Sequence, residues 1–241
     1  MNSDTAAHLL ALNRDFYDRF GKSFSLTRHR LQPGVKKIMK ALRGDESVLD
    51  LGCGNGQFLL ELSERGHRGP LLGVDFSLPL LREAGSRAGA SSVTFREVDL
   101  SRSSEFSDQI SKRDGWEVIT LFAVLHHIPS SEMRMNLLKA ARKLMKEDGR
   151  IILSNWQFLH SARLRSRIQP WERAGLSKAE VDEGDYLLDW RSGGKGLRYV
   201  HHFSAEELSG LAAQAGMRVS ESFLSDGENG RLGLYQIWIP G

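Results

Sequence analysis

Three acidic residues and a cluster of glycines carry the first chemical signal in the chain. Asp50-Leu51-Gly52-Cys53-Gly54-Asn55-Gly56 follows an apolar run. Glycines at the carboxyl end of a strand permit a tight turn and let a ligand approach the backbone. The G-x-G-x-G spacing differs from the G-x-G-x-x-G of dinucleotide sites, and no Walker-type phosphate loop is present. Asp75 closes a second apolar run, 19 residues after Gly56, where a carboxylate can accept both hydroxyls of a ribose. Asp99 closes a third run, where a carboxylate can accept a proton from an exocyclic amine. Acids in register at three successive strand ends predict a ligand site, because open α/β sheets bind ligands at the carboxyl ends of their strands.

Histidines and aromatic residues supply the second set of candidates. His126-His127 and His201-His202 are adjacent pairs, not the H-x-x-x-H or H-E-x-x-H of metal helices, and no metal is expected. Neighbours in an extended strand face opposite sides, so His127 is read as facing the ligand and His126 as pointing away. Tyr17, Arg198, Tyr199 and His201 are candidates for the lining of an acceptor pocket, and Trp156, Trp171 and Trp190 for stacking on a base. Trp156, in a strand-like run, is read as core.

These side chains need a scaffold, and the hydrophobic pattern describes one. SVLDLGCG (47–54), LLGVD (71–75), SVTFREVDL (92–100), WEVITLFAVLHHI (116–128) and RIILSNWQF (150–158) read as five strands. Helical segments separate them, the last of these over residues 130–146 with Ser130 or Ser131 as cap and Gly149 as breaker. Such alternation implies βαβ units, a parallel sheet and helices on both faces. Residues 204–216 form a further helix with Ser204 and Glu207 at capping-box spacing. MRVSESFLSD and LGLYQIWIP then follow with no long helix between them, which predicts an antiparallel pair. Residues 4–20 and 33–43 carry helical periodicity, and residues 1–43 are expected to form a helical cover. Residues 158–203 break the alternation and are expected to cap the acceptor site outside the sheet.

Composition narrows the class. The chain has 241 residues, one cysteine, 40% apolar and 26% charged residues and a net charge of +3. That length suits one generous domain with its own core. A single cysteine excludes an internal disulfide and a Cys-rich zinc module. No apolar run approaches the roughly 20 residues that span a bilayer, and the first residues lack the order of a secretion signal. A soluble protein of the cytoplasm, without a membrane partner, is expected. Basic residues concentrate in two zones: nine Lys or Arg against two Asp over 14–43, and four Arg against Glu172 over 163–173. They read either as faces for an anionic partner or as solvated helix surfaces.

The combination resembles the class I S-adenosylmethionine-dependent methyltransferases. VLDLGCGNG is similar to their first motif, GVD to the second, EVDL to the adenine-binding segment and LFAVLHHI to the fourth-strand motif beside the methyl group. The resemblance implies a Rossmann-like seven-stranded sheet, mostly parallel with an antiparallel C-terminal hairpin, and S-adenosylmethionine as cofactor with S-adenosylhomocysteine as product. Carried over by residue, Gly52 and Gly54 flank the methionine moiety, Asp75 takes the ribose, Asp99 the adenine amine, and Phe122 supplies backbone near the amino acid end. Tyr17, Asp50, Cys53, Phe76 and Leu100 complete the cofactor set, Cys53 as a small filler.

A narrower resemblance lies outside that core. FYDRFGKSFSLTRHRLQPGV (16–35), AVLHHI and LRYVHHFSAEEL are similar to the tRNA wobble-uridine carboxymethyl methyltransferases. Those enzymes esterify a carboxylate on a tRNA uridine, and many work with a small activator subunit, so tRNA and such a subunit are the partners this resemblance implies. The insertion RLRSRIQPWERAGLSKAEVDEGDYLLDW departs from that family, as does the absence of its charged linker. A carboxylate acceptor is ionised at neutral pH and needs a cation to hold it rather than a base. Arg28, in the SLTRHR segment that by resemblance folds over the cofactor, is the candidate for orienting a substrate carboxylate or the methionine carboxylate. His127, at the end of the fourth strand, can hydrogen-bond the acceptor or serve as base. A small-metabolite methyltransferase with residues 158–203 as lid remains the alternative acceptor class, and a cofactor-binding subunit without catalysis the alternative outside enzymes.

Overall fold

The computed structural model describes residues 1–26, 30–89, 91–102, 109–191 and 194–241. Two helices, α1 (Ser3–Leu26) and α2 (Pro33–Lys40), precede the first strand. A βαβ series follows: β1 (Val48–Leu51), α3 (Gln57–Glu64), β2 (Leu71–Asp75), α4 (Leu78–Ala88), β3 (Val93–Glu97) and β4 (Trp116–Phe122). Helix α5 (Ser131–Leu144) then leads into β5 (Met145–Trp156). The seven-stranded sheet has the order β3-β2-β1-β4-β5-β10-β9, where β9 spans Met217–Ser225 and β10 spans Gly233–Pro240. Strand β10 pairs antiparallel with both β5 and β9, while the pairs from β3 to β5 are parallel. This is the α/β sheet with a C-terminal antiparallel pair that the sequence predicts. Strands β1 and β2 are buried along their whole length, as both faces of a parallel sheet must be.

Two boundaries differ from expectation. Strand β4 stops at Phe122, because Ala123 adopts a positive φ of 58°. Its N–H donates to the Ser154 carbonyl and to Ser154 Oγ on β5. Residues Leu125–His127 then make a 3₁₀ turn, so the two histidines do not alternate across a strand. Their ring centroids are 4.3 Å apart. His126 is buried, with Nδ1 3.4 Å from Asn155 Oδ1, and His127 lines the main cavity. The second difference is the end of α5 at Leu144, two residues before the expected 146. Met145 already pairs with Trp116, and the ladder shifts register before Val118 meets Arg150.

Residues 158–203 form a structure of their own. A short helix α6 (Ala162–Arg165) precedes a three-stranded antiparallel sheet of β6 (Ile168–Gln169), β7 (Asp185–Trp190) and β8 (Gly196–His201). Alternation along β7 faces its two sides to different cores. Leu187 joins Leu9, Trp171 and Tyr199 against α1, and Leu188 joins Phe158, Leu164 and Val200. Trp190 packs on Phe16 and Phe20 of α1. Trp171 and Trp190 are therefore core residues of this sheet, not base-stacking platforms. Helix α7 (Ala205–Gln214) returns the chain to the main sheet, capped by Ser204 Oγ accepting from the Glu207 N–H.

Candidate active site

The strand order reverses between β1 and β4, and ligands bind at such switch points in open α/β sheets. A cavity of about 540 Å³ opens there, roofed by α1 and walled on one side by α6. Tyr17, Asp50, Gly52, Cys53, Gly54, Asp75, Phe76, Asp99, Leu100, Phe122 and His127 all line it. The predicted residue Arg28 lies outside the described residues. The turn after β1 requires its glycines. Gly52 has φ +76°, and a Cβ there would meet Val124 at 2.4 Å; Gly56 has φ +71°, and a Cβ would meet the Phe95 ring at 2.5 Å.

Each acid of the cavity is already oriented by the protein. Asp50 is buried within β1 and accepts from Thr120 Oγ1 on β4 at 2.6 Å. Burial pushes its carboxyl up to about 7 against Thr120's opposing hydrogen bond, and the charge of Asp75 adds to the rise. Asp75 accepts the N–H of Gly54 and of Ser77, each at 2.9 Å, and burial raises its carboxyl despite those bonds. Asp99 is the opposite case. Burial would raise it, but Ser101 and Arg14 outweigh that and hold it low. Arg14 Nη2 lies 2.6 Å from Asp99, and its guanidinium sits over the Phe76 ring. Cys53 beside them carries a thiol that burial, with Asp75 and Asp50, pushes up. It is an inert filler at neutral pH.

Helix α1 reaches the opposite wall. Tyr17 Oη lies 2.9 Å from His127 Nε2, and the Tyr199 carbonyl on β8 lies 3.2 Å from Nδ1. Asn13, buried one turn before Tyr17, donates to the carbonyls of His127 and Tyr199 and accepts the Tyr199 N–H at 2.8 Å. The Tyr17–His127 pair, the three acids and the glycine turn are thus assembled around one space. Asn13 and Arg14 are not among the candidates that sequence reasoning picks out. Asn13 occupies the buried helical stripe of Leu9, Phe16 and Phe20, and a polar residue in an apolar stripe is the signal that could have found it.

The acceptor candidates on β8 sit elsewhere. Tyr199 and His201 belong to a buried polar network, not to the cavity wall. Asp185 Oδ1 accepts from Tyr199 Oη and His201 Nδ1, both at 2.7 Å, and from Arg134 Nη2 at 3.3 Å. Arg134 also donates to the Ile128 carbonyl and to Tyr199 Oη, and Glu207 Oε1 lies 2.9 Å from His201 Nε2. β8 pairs with β7 in the register that sets His201 opposite Asp185, which turns these side chains into the joint between cap and core. Arg198 points to the other side, its guanidinium 4.6 Å from the Trp156 ring centroid. It is buried behind Trp156, and Trp156 itself reaches the cavity. Among the described residues no three His, Cys, Asp or Glu side chains converge as a metal site, and no helix is long and apolar enough to cross a membrane.

Residues 24–222 match the family described as methyltransferase domain. The chain belongs to that family. Relatives of this methyltransferase include a protein of Encephalitozoon cuniculi (strain GB-M1) provisionally named a methyltransferase, 28% identical over 205 residues that cover 85% of this chain and 86% of that one. A Bos taurus protein provisionally named tRNA methyltransferase 9B is 24% identical over 70% of this chain, and the tRNA (carboxymethyluridine(34)-5-O)-methyltransferase of Arabidopsis thaliana is 27% identical over 58%. The methyltransferase spans about a third of the length of these last two, 35% and 31%. Solved structures share its fold. A SAM-dependent methyltransferase of Methanosarcina mazei superposes with a TM-score of 0.66 at 21% identity, over 86% of this chain and 97% of that one. The 1,6-didemethyltoxoflavin-N1-methyltransferase of Burkholderia thailandensis, solved with its substrate and S-adenosylhomocysteine, gives 0.65 at 19% identity over 98% and 89%.

Proposed function

We propose that the chain transfers a methyl group from S-adenosylmethionine to a carboxylate carried by a modified tRNA uridine. The cofactor supplies an activated methyl group on a sulfonium. The residues present fit it: Gly52 and Gly54 bring the turn after β1 to the cavity wall without side chains, Asp75 offers acceptors for a ribose, and Asp99 for an amine. The protein's task is then to align the acceptor and exclude water.

One observation carries the choice of acceptor. The cavity acids Asp50, Asp75, Asp99 and Asp226 all accept from protein donors. Arg30 and Arg163, one from each of the chain's two basic zones, line the same cavity, and neither guanidinium has a hydrogen bond or ion pair to a described residue. Two uncommitted cations beside committed acids suit an anionic acceptor, and planar guanidinium holds a carboxylate bidentately. The activity for which the Arabidopsis relative is named, on tRNA carboxymethyluridine, supports the same acceptor. The Tyr17–His127 pair favours a second reading, an acceptor hydroxyl or amine on a small metabolite that must give up a proton.

Methyl transfer from labelled cofactor to total tRNA, beside a metabolite extract, separates the two. Label in tRNA that mild alkali releases, as an ester would, supports the carboxylate. Label only in the metabolite fraction, or stable to alkali, refutes it.

A further inference from the structure

We infer that Asn13 is a positioning residue that fixes the tautomer of His127. The inference rests on the reading that His127 faces the methyl acceptor. It begins with two contacts of the imidazole. The Tyr199 carbonyl, 3.2 Å from Nδ1, can only accept. In the neutral ring the proton is therefore on Nδ1, and Nε2 takes a hydrogen bond from the Tyr17 hydroxyl at 2.9 Å. Free histidine prefers the other tautomer, with the proton on Nε2, so the site must hold the ring against its own preference.

Asn13 supplies the hold. Its amide is buried and spent wholly on backbone: Nδ2 donates to the carbonyls of His127 and Tyr199, and Oδ1 accepts the Tyr199 N–H. These three bonds set the β8 peptide against the 3₁₀ turn, which places the Tyr199 carbonyl where Nδ1–H meets it. A backbone or side-chain group that orients the imidazole from behind is how histidine's two nitrogens are told apart. Asn13 also sits one helical turn from Tyr17 on the same face of α1. One helix thus delivers the clamp for Nδ1 and the hydroxyl for Nε2. The consequence is chemical. An acceptor with a proton to give that replaces the Tyr17 hydroxyl meets an unprotonated Nε2. The wrong tautomer would present it with a donor and leave Nδ1 facing a carbonyl lone pair.

The test uses the full chain labelled with ¹⁵N-histidine and read by long-range ¹H–¹⁵N correlation in the neutral-ring range, with the His127 signals identified by their loss in His127→Gln. The wild type should show a protonated Nδ1 and an unprotonated Nε2. Asn13→Ala, and Asn13→Asp, which keeps the acceptor but lacks both donors, should shift the ring toward the Nε2–H form. In the methyl-transfer assay, kcat should fall roughly tenfold or more, as expected for a misaligned group, with cofactor affinity within about twofold. A wild-type ring found in the Nε2–H form overturns the inference without any variant, as does an unaltered tautomer in folded Asn13→Asp. The spectroscopic arm needs no acceptor. Failure of the tRNA assignment would silence the activity assay and leave the tautomer readout intact.

Discussion

Asp50 offers the sharpest quantitative test, because its carboxyl is buried with a single neutral side-chain partner. Replacing it with Asn keeps the shape and the acceptor for Thr120 Oγ1, 2.6 Å away, and removes the titration. Burial holds the carboxyl at about 7 against an ordinary 3.8. Below 3.8 both folded and unfolded chains carry the proton, and the group is neutral for stability. As pH rises toward 7 the unfolded chain releases its proton and the folded chain keeps it, so stability is lost across that window, and the loss is complete above it. About three pKa units at about 1.4 kcal/mol each give roughly 4 kcal/mol. Asp50→Asn should therefore match the wild type near about pH 4 and exceed its unfolding free energy by up to about 4 kcal/mol near about pH 8. Urea unfolding of both proteins across that range reads the difference. Parallel curves, within about 1 kcal/mol at every pH, would refute the account of a buried carboxyl held protonated by desolvation.

Other consequences follow from the same geometry. Asp75→Ala should weaken cofactor binding by roughly 1.5–3 kcal/mol through lost acceptors; calorimetry showing wild-type affinity would remove Asp75 from the ribose site. Gly56→Ala forces a Cβ to 2.5 Å from Phe95 at φ +71°, so thermal unfolding should show a loss of about 1–3 kcal/mol. His201 is lowered by burial but raised more by Asp185 and Glu207. Its stabilisation is present below 6.5 and fades as pH rises through the folded value. The Tm deficit of His201→Gln should accordingly be larger near about pH 6 than near about pH 9, and a larger deficit on the alkaline side would contradict the sign.

The parallel strands and their acids are legible in the sequence because they obey local rules. A glycine cluster directly after a buried strand marks a turn that only glycine can make; Asp75 closes β2 and Asp99 lies two residues past the end of β3, both placed by the hydrophobic runs before them. The region 158–203 is visible as a break in pattern, but its pairing is not, since β7 and β8 find each other through long-range register. The same limit hides the true place of Tyr199 and His201. Strand alternation fixes which residues share a face, but not which face meets the cavity, and Asp185, the partner that buries them, is distant in sequence. Arg134 escapes notice because a charged residue on an amphipathic helix reads as solvated. Yet it sits at helical spacing with Leu137, Leu138 and Ala141, all buried. As with Asn13, a polar side chain inside an apolar stripe is the telling mark.

The cap sheet shares no strand pairing with the main sheet. Besides its apolar packing on α1, polar joints hold it, among them the Asn13 contacts to Tyr199 and the Arg134–Asp185 cluster. This gives the fold a second sheet with a defined coupling, set apart from the cavity: among the described residues of 158–203, Arg163 and Leu164 line it and the three strands do not. A chimera that imports a foreign cap must also import a strand carbonyl opposite residue 13 and an acid opposite residue 134. Without the second, the buried Arg134 would lose its buried counter-charge and keep Glu207 at 4.0 Å, a loss of up to about 3–5 kcal/mol, which would consume much of the stability of an ordinary domain. Change along β7 and β8 is then constrained by these sockets, since a substitution at residue 185 or a slip in the register of residue 199 disturbs a buried partner on another element.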